Sequence, residues 1–215
     1  MKTKTHLIVS GLFFTVVLFL WPVLMSVSQP EGNITEQLGW ISKNLTVHRM
    51  MFTVAFLISP ALVYMMISQL EATAKTGKIN MRTGLVFLTC YVVLVSIAYA
   101  SQAALVPMLI KNGLPDQAAT WYFNSSYSIT YFVDQMGYCF WGAGAIILFH
   151  RLIFEPGMIK YISIIYVISA ILSILAFTGL MINNLVLQSM TLYSGLLLAP
   201  VGILTVIWAC REKNI

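Results

Sequence analysis

Six apolar stretches, each with the length of a membrane-crossing helix, decide what this chain can become. They run from about Leu7 to Val27, Met50 to Leu70, Gly84 to Met108, Ile129 to Phe154, Met158 to Met181 and Ser189 to Cys210. About 20 apolar residues in helical form cross the roughly 30 Å hydrocarbon core of a bilayer. A chain in lipid must satisfy its backbone polar groups internally, and these segments are too long for barrel strands. They therefore predict an all-α membrane protein, a bundle of about six transmembrane helices forming one domain over residues 1–215. Composition agrees. Charged residues make up 9% of the chain, against about 25% in an ordinary soluble domain, which is too few to cover a water-facing surface.

The net charge of +5 gains meaning from its placement. Nine of the twelve basic residues fall at the N-terminus (Lys2, Lys4), in the second and fourth connections (Lys75, Lys78, Arg82; Arg151, Lys160) and at the C-terminus (Arg211, Lys213). Only Lys43, Arg49 and Lys111 fall in the alternate connections. Basic residues concentrate on the cytoplasmic side, so both termini are expected in the cytoplasm of a cell with a multi-pass cell-membrane protein. The charge is accounted for without a nucleic-acid partner. Lys2 and Lys4 before an apolar run, with Ser26-Val-Ser28 after it, superficially fit a signal peptide. The run is longer than the 7–15 residues usual for a signal core, however, so a retained first helix is expected.

Cys90, Cys139 and Cys210 all lie in apolar stretches. They lack both the paired loop positions of a disulfide framework and the close spacing of a metal site. Three N-x-S/T tripeptides, Asn33-Ile-Thr35, Asn44-Leu-Thr46 and Asn124-Ser-Ser126, lie in the two long outer loops. Glycosylation requires that side, although polar loops also produce such tripeptides by chance. Those loops carry Trp40, Trp121, Tyr122 and Phe123, and aromatic rings favour the lipid–water boundary. Gln37, Leu38, Trp40 and Ile41 suit a short amphipathic helix in the first of them. Pro22, Pro60 and Pro200 predict kinks within spans, and Gly142 and Gly144 predict a close helix approach.

One ionisable residue lies well inside a span, and such residues are costly enough to demand a role. It is Asp134. At helical spacing it shares a stripe with Tyr127, Tyr131, Tyr138 and Trp141, which is ill-suited to lipid tails and should face the bundle interior. His48 and Arg49 open the second helix at the same level. Gln102 and Ser101 lie near the outer end of the third, with Tyr99 and Tyr91 on about the same face. Asn183, Asn184 and Gln188 lie at the outer end of the last hairpin. The inner halves read as more uniformly apolar. The expectation is an outward-facing polar pocket whose candidate ligand-binding residues are Asp134, Arg49, His48, Gln102, Tyr131 and Tyr138.

The chain also resembles a bacterial family of six-span integral membrane proteins known as a domain of unknown function. The resemblance rests on the basic N-terminus before an apolar helix, the long outer loop, His48-Arg49-Met50 opening the second helix, and the polar, aromatic stretch from Tyr131 to Gly137. It covers nearly the whole chain and implies six spans, with no activity or substrate. Three roles stay open. The pocket binds a small molecule, lipid group or ion; or an Asp134–Arg49 pair is a clamp in a structural or accessory subunit; or the chain is an intramembrane enzyme on a lipid substrate. Only His48 stands near Asp134 as a second chemical group, and no H-E-x-x-H, G-x-S-x-G or phosphate-binding glycine loop occurs. No cofactor or metal is implied.

Overall fold

The computed structural model describes residues 2–28, 30–73, 78–123 and 127–211. The six long helices are α1 (Lys2–Ser28), α3 (Leu45–Thr73), α4 (Lys78–Ala100), α7 (Ile129–Phe149), α8 (Met158–Met181) and α10 (Met190–Arg211). Four short ones, α2 (Ile34–Lys43), α5 (Val106–Lys111), α6 (Pro115–Trp121) and α9 (Leu185–Gln188), lie between them. No strand occurs among the described residues. Six helices are long and apolar enough to cross a membrane, α4 doing so together with α5 over Asn80–Lys111. Val16, Val86, Val93, Leu196 and Ile203 stand exposed on the bundle's periphery, which is tenable only where the solvent is lipid. The chain is a multi-pass membrane protein by this measure.

The limits of the spans shift for local reasons. The fourth helix stops at Phe149 rather than Phe154, because the chain tightens into a 3₁₀ turn at Leu152–Phe154. It then reverses through Pro156 and Gly157, whose φ of 87° suits glycine alone. The helix starts where Ser128 caps it, accepting from the Tyr131 N–H at 3.0 Å. The amphipathic helix expected in the first long loop is α2. Asn33 and Glu36 close it with a capping box, and Gln37, Leu38 and Ile41 are its buried face. The Asn33 side chain is thus engaged in capping, and the Asn44 side chain donates to the Trp40 carbonyl at 2.9 Å. The Asn124-Ser-Ser126 tripeptide, Lys75 and Lys213 lie outside the described residues. All three cysteines are free thiols.

The helices form a closed ring in which each long helix meets its neighbours in sequence and α1 meets α10. Adjacent helices run antiparallel. His6 meets Tyr64 at one end of the α1–α3 pair, while Trp21 and Met25 share a cavity with Met51 at the other. The start of α1 and the end of α10 therefore lie at one end of the bundle. The small helices α2, α5 and α6 form a cap at the opposite end, with its own apolar cluster of Leu38, Ile41, Val106, Leu109, Ala118 and Tyr122.

Glycines set the closest crossings. A Cβ on Gly202 would come within 2.9 Å of the Gly11 carbonyl, and one on Gly142 within 2.7 Å of the Ala170 carbonyl. Gly144 turns instead toward Gly84 and Leu88 of α4. The two glycines of α7 thus admit two different helices, one on each flank. Lipid tails offer no hydrophobic drive for helices to associate, so such close backbone packing carries much of the assembly.

Candidate functional site

Beneath the cap lies a cavity of about 280 Å³. Trp21 and Met25 of α1, Met51 and Phe52 of α3, Tyr99 of α4 and Tyr131 of α7 line it, and Phe123, just beyond α6, completes the wall. Five of these seven side chains are aromatic and two are thioethers. Phe123 stands edge-on to Tyr131, with ring centroids 6.0 Å apart, and lies 5.9 Å from the Tyr99 ring. The Trp21 indole N–H is buried without a hydrogen-bond partner.

Asp134 stands behind this wall. It is 2% exposed, its Oδ1 has no hydrogen-bond partner, and the Tyr99 hydroxyl interacts with its carboxyl. The hydroxyls of Tyr99 and Tyr138 are 3.4 Å apart, and the Tyr138 ring lies 5.5 Å from that of Tyr91. From Tyr131 to Trp141 the stripe faces the interior as expected. Tyr127, 89% exposed, falls outside it because the helix begins only at Ile129.

The structure separates the other sequence candidates. Arg49 is exposed, and no ion pair joins it to Asp134 among the described residues. Residue 48 faces inward at the start of α3, so its neighbour in sequence is turned outward by the helical repeat. Gln102 is buried but fully engaged. Its Nε2 donates to the Trp121 carbonyl at 2.6 Å and reaches Ser101 Oγ and Thr130 Oγ1, and its Oε1 accepts from the Phe123 N–H at 3.0 Å. It holds the chain segment that carries Phe123 onto the cavity. Asn184 caps α9 and Gln188 donates to the Gly179 carbonyl, both within the last hairpin and apart from Asp134.

His48 serves the same latch for a reason rooted in Pro107. Residues Ser101–Leu105 form a π-helical turn in which the Val106 N–H bonds five residues back to the Ser101 carbonyl. Pro107 has no N–H to give. The Gln102 carbonyl thus loses its helical donors and takes His48 Nε2 at 3.1 Å instead. A carbonyl only accepts, so Nε2 carries the proton and the buried Nδ1 is left bare and without a partner. His48→Phe keeps the ring stack on Phe52 (4.9 Å) but removes the donor. It should cost about 1–3 kcal/mol, the penalty of a buried carbonyl left unpaired. In a Pro107→Ala background the helix can supply its own donor, so the same substitution should cost less. A double-mutant cycle on heat unfolding in detergent measures the coupling, and equal losses in the two backgrounds would refute the linkage. At the cap, burial pushes the Tyr122 phenol up to about 12, keeping it neutral as an apolar wall.

Sequence reasoning missed two features. Trp21, Met25, Met51 and Phe52 were unremarkable apolar residues of their spans, with no signal marking them as cavity walls. The inner half is also less uniformly apolar than expected. There Gln69 donates to Thr205 Oγ1 at 2.6 Å, and nearer the opposite end of the bundle Ser169 and Ser173 both meet Ser194 at 2.8 and 2.7 Å. These bonds tie α3 to α10 and α8 to α10 through small polar side chains that hydropathy averages away. No group of three or more His, Cys, Asp or Glu able to hold a metal ion occurs among the described residues. No family model, curated protein or solved structure matches the chain.

Proposed function

We propose that the protein binds a small, largely apolar molecule or lipid group in the cavity beneath the cap, with Tyr131, Tyr99 and Phe123 as its walls and Asp134 and Tyr138 as the polar groups behind them. The observation that carries this reading is an aromatic cavity of about 280 Å³ beside two buried polar atoms without partners, Trp21 Nε1 and Asp134 Oδ1. Buried polar groups are ordinarily hydrogen-bonded, so a donor left unmet in the wall and an acceptor left unmet behind it favour an occupant. Gln102 and His48 act on the site through the Phe123 segment, and Arg49 is left out of it. The placement of Lys and Arg supports an orientation with the cap outside and both termini in the cytoplasm of a cell membrane. The resemblance to the six-span bacterial family fits that layout.

Filling the cavity tests the reading. Native mass spectrometry of the parent in mild detergent should show a retained small molecule or lipid. Met25→Trp, which places a larger side chain in the cavity, should lose it while still unfolding cooperatively on heating. An adduct retained equally by both proteins, or by neither, would count against the site.

A further inference from the structure

Resting on that reading, we infer that the cavity takes an organic cation, a quaternary or protonated amine with an apolar body. Three observations converge on this ligand chemistry. Five aromatic rings line the cavity, and the face of an aromatic ring attracts a cation once both are removed from water, most strongly for tryptophan. The two remaining wall residues, Met25 and Met51, present polarizable thioethers, which are only weak hydrogen-bond acceptors. They suit an alkylated ammonium, which has little or no need for hydrogen bonds. Behind the Tyr99 and Tyr131 wall lies the Asp134 carboxyl, 2% exposed, with Oδ1 unmet and no ion pair among the described residues.

An acid in the membrane interior ordinarily finds a cationic partner. Arg49, the nearest candidate in the sequence, is turned outward, so a positively charged ligand supplies the missing counter-ion. An anionic ligand fits poorly, since no Lys or Arg lines the cavity. A neutral apolar ligand would fill the volume and leave the carboxyl unexplained. The groups surrounding Asp134 are Tyr91, Tyr99, Tyr131 and Tyr138. All are phenols, so no basic side chain among them competes with a cationic ligand for the carboxyl.

The test compares benzyltrimethylammonium with its neutral isostere neopentylbenzene, in which carbon replaces the nitrogen. Each is titrated against the purified full chain in a non-ionic detergent, and the rise in unfolding midpoint gives an apparent affinity. The parent should favour the cation by about tenfold or more, the scale of a desolvated cation–π contact. Asp134→Asn should bring the ratio of the two affinities toward one. Trp21→Leu, which leaves the carboxyl in place, should weaken the cation more than the neutral compound, and it keeps the test decisive should Asp134→Asn fail to fold. Equal affinity for both compounds, unchanged in either variant, would overturn the cation assignment and leave a neutral-ligand cavity standing. Failure of both compounds to stabilise the parent, together with the absence of any adduct in the native spectrum, would overturn the cavity reading itself.

Discussion

Gly142→Leu should prevent α7 from seating against α8 and lower stability by about 3 kcal/mol or more, at the upper end of what overpacking costs. A Cβ alone would stand 2.7 Å from the Ala170 carbonyl and 3.0 Å from Ile174 Cγ1. The first of these is backbone, which cannot swing aside as a side chain would. The helices must separate, and the ring must then open at the contact that backs Asp134 and Trp141. Gly195→Leu is the matching control, since it makes the same change in chemistry and helix propensity where no atom lies within 4 Å of the added Cβ. Heat unfolding in detergent should show a large fall in midpoint for the first and little change for the second. Similar midpoints for the two would mean that α7 and α8 do not depend on this close approach.

Gln102→Leu should release the cap. The substitution keeps most of the side-chain volume and removes both ends of the amide. The Phe123 N–H then loses its acceptor, and the Trp121 carbonyl keeps only Thr130 Oγ1, at 2.6 Å. Leaving a buried backbone donor unpaired costs about 1–3 kcal/mol. The loss falls on the segment that carries Phe123 and so should be local as well as global. Limited proteolysis should cut near residues 115–123 well before the spans are attacked, and the cavity adduct should be lost with it. A variant that is as resistant as the parent would show that the cap is held by its apolar cluster alone. Gln102→Glu separates the two halves of the amide, because it keeps the acceptor for Phe123 and removes the donor to Trp121.

The sequence alone determined the solvent and the number of spans. Apolar runs long enough to cross a bilayer, with 9% charge, leave lipid as the only medium, and backbone hydrogen bonding in lipid leaves only helices. The inward face of α7 was also legible, because Tyr131, Asp134, Tyr138 and Trp141 recur at helical spacing. So was α2, whose buried residues Gln37, Leu38 and Ile41 fall on one face at helical spacing. The partner of Asp134 was not legible. Arg49 stands at the right depth, yet depth is only one of the coordinates that place a side chain. Rotation about the helix axis turned His48 inward and Arg49 outward, and rotation is set by packing against neighbouring helices. Gln102 was likewise visible as a buried polar residue, but its role depends on Pro107 opening the helix five residues on and on His48 from another helix filling the gap. The cavity depended most on tertiary structure. Trp21, Met25, Met51 and Phe52 look like any residues of an apolar span, because hydropathy reports how a side chain partitions and not what it faces. Only the closing of the ring, with Phe123 held down by Gln102, turned them into the walls of a site.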